Sequence, residues 1–147
     1  ISEIVNSALE PIRSRAKECA LELSVRLQEA EVNCDPEAIR QVVDNLIDNA
    51  LRHAPSGGTV EIELTLTQGE VEFAVVNDQG HLNLDSEARL FDRFYRSDSS
   101  RDRKTGGAGL GLAIVAAFVK AHGGRCGVRA VPGHRIAFWF SLPRALS

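Results

Sequence analysis

Val60, Ile62, Leu64 and Leu66 alternate with Glu61, Glu63, Thr65 and Thr67, and after Gln68-Gly69 the alternation resumes with Val71, Phe73 and Val75. Residues two apart in an extended chain share a face, so this stretch predicts two strands joined by a tight turn, each with one apolar side. Such a side has to be covered, which commits the chain to a second layer. The pattern recurs. Leu21, Leu23, Val25 and Leu27 alternate with Glu22, Ser24 and Arg26, Val32-Asn33 offers a further short strand, and two strands close the chain. One of these holds Cys126, Val128 and Ala130, the other Ile136, Phe138, Phe140 and Leu142, with Gly133 in the turn.

Helical spacing supplies the cover. Glu3 to Lys17 carries Ile4, Val5, Ala8, Leu9 and Ile12, with Pro11 predicted to kink it or mark a boundary. Asp35-Pro36-Glu37 reads as a helix start, a capping acid before a first-turn proline. That helix is predicted to run to about His53 with Ile39, Val43, Leu46, Ile47 and Ala50 on its apolar stripe, ended by Pro55-Ser56-Gly57-Gly58. Leu110 to His122 predicts a third helix stopped by Gly123, and Glu87 to Tyr95 a short one. The expected fold is a two-layer α/β sandwich, about three main helices on one face of a mixed sheet of about five strands.

At 147 residues the chain has the length of one domain. Its 17 basic and 20 acidic residues leave a formal charge of -3, with no basic patch for nucleic acid or an anionic membrane. Cys19, Cys34 and Cys126 have no metal-ligand spacing, and a reduced cytosolic setting is expected. No apolar run is long enough to span a membrane, so this domain is not expected to insert in one. The chain contains no methionine and is expected to be a piece of a longer protein.

Three polar constellations carry chemistry. Asn45, Asn49, Arg52 and His53 share one side of the second helix, beside its apolar stripe. Amides there suit a hard cation bound to phosphate oxygens, with Arg52 and His53 as donors; the plain alternative is a solvated helix edge. Gly106-Gly107-Ala108-Gly109-Leu110-Gly111-Leu112 precedes the third helix, where glycines let backbone N–H groups approach an anion. Alone it reads sooner as a flexible turn, and it lacks the lysine of a Walker loop. Asp78-Gln79-Gly80 follows the strand ending at Val76, where an acid can accept a ligand amine or simply mark a turn.

Taken in order, Asn45 and Asn49, Asp78 and Gly80, Phe91 and Phe94, and Gly107 to Leu112 resemble the N, G1, F and G2 boxes of sensor histidine kinases in the GHKL superfamily. The segments Asn45-Leu46-Ile47-Asp48-Asn49-Ala50-Leu51-Arg52-His53, Leu90-Phe91-Asp92-Arg93-Phe94-Tyr95-Arg96 and Gly109-Leu110-Gly111-Leu112-Ala113-Ile114-Val115 are each close to the family's wording. The resemblance implies the Bergerat ATP-binding fold. It implies Mg²⁺ held by Asn49 with Asn45 beside it, and adenine met by Asp78 with Gly80 close to the ring. Arg52 and His53 would lie near phosphates or ribose. Gly107, Gly109 and Gly111, with Leu110 and Leu112, would form the phosphate-facing turn. Phe91 and Phe94 would pack the base of a lid over 95–106, and Arg93 and Arg96 would reach the γ-phosphate. It also implies residues 1–18 as a linker helix from a helical dimerisation and phosphoacceptor domain, and 19–147 as the catalytic domain. The implied partners are that domain's histidine and a response regulator, in a homodimer on the cytoplasmic side of an inner or plasma membrane.

The superfamily's hydrolases carry glutamate where this chain has Asn45, and a neutral amide cannot take a proton from water. Phosphotransfer to an external nucleophile is therefore expected, since none of His53, His81, His122 and His134 lies early on a long helix with an acid after it. The second G1 glycine is replaced by Leu82, which is expected to narrow the pocket. A degenerate nucleotide-binding scaffold and a GHKL ATPase or serine kinase are the rival readings.

Overall fold

The computed structural model describes residues 1–78 and 111–145. Its elements are α1 (Ser2–Glu18), β1 (Glu22–Leu27), α2 (Pro36–His53), β2 (Thr59–Leu66), β3 (Glu70–Asp78), α3 (Gly111–Ala121), β4 (Arg125–Val131) and β5 (Arg135–Pro143). The strands form one sheet in the order β1-β2-β3-β5-β4. β1 and β2 are parallel and the remaining pairs antiparallel, so the sheet is mixed, as expected. A parallel neighbour requires a crossover, and α2 is that crossover. The short strand predicted at Val32-Asn33 does not form; that stretch is irregular. The short helix predicted at 87–95 lies outside the described residues.

One apolar core lies between the layers. Phe73, Val75, Ile136, Phe138, Phe140 and Leu142 from the sheet meet Ile39, Val42, Val43, Leu46 and Ile47 of α2 and Val115 and Val119 of α3. The Phe73 and Phe140 rings stack tilted, centroids 5.4 Å apart. Val5, Ala8, Leu9, Ile12 and Ala16 of α1 join the same core. This burial explains why Pro11, expected to kink or end the helix, sits inside an unbroken α1. A mid-helix proline costs about 3 kcal/mol. Burying Val5, Leu9 and Ile12 returns roughly 1.5–3 kcal/mol each, and Pro11 itself is exposed.

The opposite face of the sheet is polar. Arg26 pairs with Glu63, Arg135 with Glu61 at 3.1 Å, Arg129 with Glu72 at 2.6 Å and Arg125 with Glu70 at 2.8 Å. The Arg129 guanidinium lies 5.6 Å from the Trp139 ring centroid. Under these long side chains the small residues Ala74, Val76 and Ala137 are buried without belonging to the core between the layers.

Local signals fix the helix ends. Asp35 caps α2 by accepting from the N–H groups of Glu37 at 3.0 Å and Ala38 at 3.4 Å. Gly123, at φ +74°, stops α3 as expected. His122 then ties the two helices. Its Nε2 accepts the Asp35 N–H at 3.1 Å, which leaves the proton of the neutral ring on Nδ1, facing the Phe118 carbonyl at 2.7 Å.

Because Pro11 is tolerated rather than needed, Pro11→Ala is expected to stabilise the chain by about 2 kcal/mol after allowing for the freer unfolded chain. The measurement is a urea midpoint that rises with unchanged slope.

Candidate functional site

α2 and α3 run antiparallel. His122, just past the end of α3, meets Asp35 at the start of α2, and Gly111 at the start of α3 meets Asn45 farther along it. The second contact is a hydrogen bond: Asn45 Nδ2 donates to the Gly111 carbonyl at 3.2 Å. Two constellations that are far apart in sequence, the amide face of α2 and the end of the glycine-rich run, are therefore neighbours.

One turn on from Asn45 lies Asn49. Its Nδ2 is buried and has no hydrogen-bond partner among the described residues. An orphaned amide costs about 1–3 kcal/mol, which a ligand can return. The oxygen and nitrogen of an amide exchange places by a flip, so Asn49 can equally present Oδ1, the donor atom a hard cation takes. Asn45 keeps its Oδ1 while Nδ2 is engaged. No group of three or more His, Cys, Asp or Glu side chains among the described residues could hold a metal. The donors suit Mg²⁺, which takes few protein ligands and completes its shell with water and phosphate oxygens.

In the last two turns of α2 Arg52 is exposed and pairs with Asp48 at 3.1 Å. Asp48 also takes Arg15 of α1 at 2.6 Å, so two helices share one carboxylate. His53 is half-buried in the final turn and has a partner. Leu112 packs against the core from the first turn of α3.

The end of β3 carries two polar residues, Asn77 and, as expected, the acid Asp78. Val71, Phe73 and Val75 face the helices, and Asn77 continues their phase. Asn77 stands opposite Val60 of β2 and Ile136 of β5, both core residues, and is only 1% exposed. Asp78 belongs to the other phase. Its Oδ2 accepts the Thr59 N–H at 3.0 Å and lies against Gly58, and Oδ1 has no partner among the described residues. Gly80, Leu82, Phe91, Arg93, Phe94, Arg96, Gly107, Gly109 and Leu110 lie outside the described residues.

The cysteines stand apart from this chemistry. Burial pushes the Cys34 and Cys126 thiols up, so neither offers a thiolate at neutral pH. Among the described residues no helix is long and apolar enough to cross a membrane.

Residues 34–146 match the family described as histidine kinase-, DNA gyrase B-, and HSP90-like ATPase. The sensor protein IrlS of Burkholderia pseudomallei is 40% identical over 114 residues, 78% of this chain and 25% of that protein. The chain thus spans about a quarter of the length of that relative. Among solved structures, the mycobacterial sensor histidine kinase MprB superposes with a TM-score of 0.85 at 30% identity, over 99% of this chain and 97% of that one. Full-length ShkA in complex with AMPPNP superposes with a TM-score of 0.81 at 29% identity, over 99% of this chain and 30% of that one.

Gly58 tests the β2–β3 corner. A Cβ there would come within 2.5 Å of Asp78 Oδ2 and 2.9 Å of the Pro55 carbonyl oxygen. Gly58→Ala is therefore expected to destabilise the chain by about 1–3 kcal/mol in chemical denaturation.

Proposed function

Because the chain belongs to the histidine kinase-, DNA gyrase B-, and HSP90-like ATPase family, we propose that it acts as the ATP-binding catalytic domain of a sensor histidine kinase. In this role it delivers the γ-phosphoryl group of Mg²⁺-bound ATP to a histidine on a separate helical dimerisation domain. The observation that supports this best is the Asn45–Gly111 hydrogen bond, which sets the amide face of α2 against the head of α3.

Asn49 and Asn45 would hold Mg²⁺, which when bound neutralises phosphate charge. The N–H groups at the head of α3, with Gly107, Gly109, Leu110, Gly111 and Leu112, would bind phosphate oxygens. Arg52 and His53 would reach phosphate or ribose, Arg93 and Arg96 the γ-phosphate, and Phe91 and Phe94 the base of the lid. Asn45 holds the place of the hydrolases' glutamate, and its nitrogen is already spent on the Gly111 carbonyl. With no base to activate water there, positioning and charge neutralisation favour transfer to an outside nucleophile.

In the whole protein, residues 1–18 would lead in from the dimerisation domain, with α1 docked on the catalytic core. The assembly would be a homodimer at the cytoplasmic side of a membrane, passing its phosphoryl group to a response regulator.

The chain is expected to bind ATP in a Mg²⁺-dependent manner without phosphorylating itself, since no acceptor histidine is recognisable in it. Stable acid-labile phosphate on the chain after incubation with labelled ATP would contradict this. Asn49→Ala is expected to abolish the Mg²⁺ dependence while the thermal transition stays cooperative. Loss of folding in that variant would instead make Asn49 a structural amide.

A further inference from the structure

We infer that Asp48 is a positioning residue for the phosphate end of the site: it orients Arg52 and shares itself with Arg15, so the docking of α1 sets how much positive charge Arg52 offers a nucleotide. This assignment rests on the nucleotide-binding reading above, in which Arg52 meets phosphate oxygens. It starts from a carboxylate with two partners on two helices. Asp48 Oδ1 takes Arg15 of α1 at 2.6 Å, and Oδ2 takes Arg52 of α2 at 3.1 Å.

The helices fix this arrangement. Arg15 stands on α1 between the buried residues Ile12 and Ala16, so packing of that helix brings it to α2. Arg52 is four residues on from Asp48, the spacing at which helical side chains meet, and three on from Asn49. One turn earlier on α2 the charges balance differently. Asp44 pairs with Arg40 at 3.1 Å, and Arg40 reaches α1 through the neutral Ser7 hydroxyl at 2.9 Å.

Two arginines around one carboxylate leave a positive charge in excess. The shorter contact belongs to Arg15, which therefore draws more of the carboxylate's field. Arg52 is held in place without being neutralised. Take Arg15 away, and Asp48 and Arg52 become a closed neutral pair with which a phosphate must compete. The three side chains are between a third and a half exposed, so water and salt weaken the coupling and its effect is modest. Coupling is reciprocal: a nucleotide that draws on Arg52 tightens the hold of Asp48 on α1 by the same factor.

The test measures the affinity of the chain for ATP with Mg²⁺ by calorimetry at low salt. Arg15→Gln should weaken ATP about threefold, the scale of a partly exposed charge pair. Arg15→Lys, which keeps the charge, should bind as the native chain does. In an Asp48→Asn background, Arg15→Gln should change nothing, because the carboxylate that relays it is gone. A merely structural Arg15 would not show that dependence. Unchanged affinity in Arg15→Gln overturns the assignment. So does equal weakening with and without the Asp48 carboxylate, or an Arg15→Lys as weak as Arg15→Gln. Native affinity in Arg52→Gln overturns it too, while leaving nucleotide binding intact. Failure of the native chain to bind ATP brings down the nucleotide-binding reading and this assignment together. If Asp48→Asn does not fold, Asp48→Ser takes its place, and unfolding of both makes Asp48 a structural carboxylate and ends the proposal.

Discussion

A residue in a pleated sheet is committed to one of two faces, and both faces of this sheet are in use. The face towards the helices carries Phe73, Val75, Phe138 and Phe140 and holds the layers together. The other carries four arginine–glutamate pairings, Arg26–Glu63, Arg135–Glu61, Arg129–Glu72 and Arg125–Glu70, over buried small residues. Partly exposed pairs of this kind are worth about 0–1 kcal/mol each, so cohesion comes from the apolar face and the charges keep the other face wet. Asn77 and Asp78 show how sharp the division is: adjacent in sequence, they serve different surfaces.

α2 is the element through which both halves of the molecule communicate. It crosses between β1 and β2, carries the largest share of the helical core, and shows its amides to α3. Its stripe holds Ile39, Val42, Val43, Leu46, Ile47, Ala50 and Leu51, and Asn45 and Asn49 fall at its margin. That margin is where a polar group can be desolvated and still reach a ligand. Asp48, one residue before Asn49, ties the helix to α1 through Arg15. Packing and chemistry thus share one helix, separated only by its rotation per residue.

Most of the architecture was legible because it is periodic. The alternation from Val60 to Val75, the cap at Asp35 and the stop at Gly123 each follow from local rules, and each forms. What was missed depends on partners distant in the chain. Pro11 reads as a breaker until the burial of α1 is known to outweigh it. Val32-Asn33 looks extended, yet no neighbouring strand accepts it.

The contacts at the two ends of α3 constrain how this protein can vary. Gly111 is held by Asn45 and His122 holds Asp35, so the helix is pinned to α2 at both extremities. Each residue of an α-helix adds about 1.5 Å of rise and a 100° turn. An insertion or deletion anywhere between 111 and 122 would swing one anchor away from its mate while the other stayed in place. The other side chains along this span can drift as long as Leu112, Val115, Phe118 and Val119 remain apolar, but its length cannot. A comparison of descendants of this sequence should therefore find gaps elsewhere and none here.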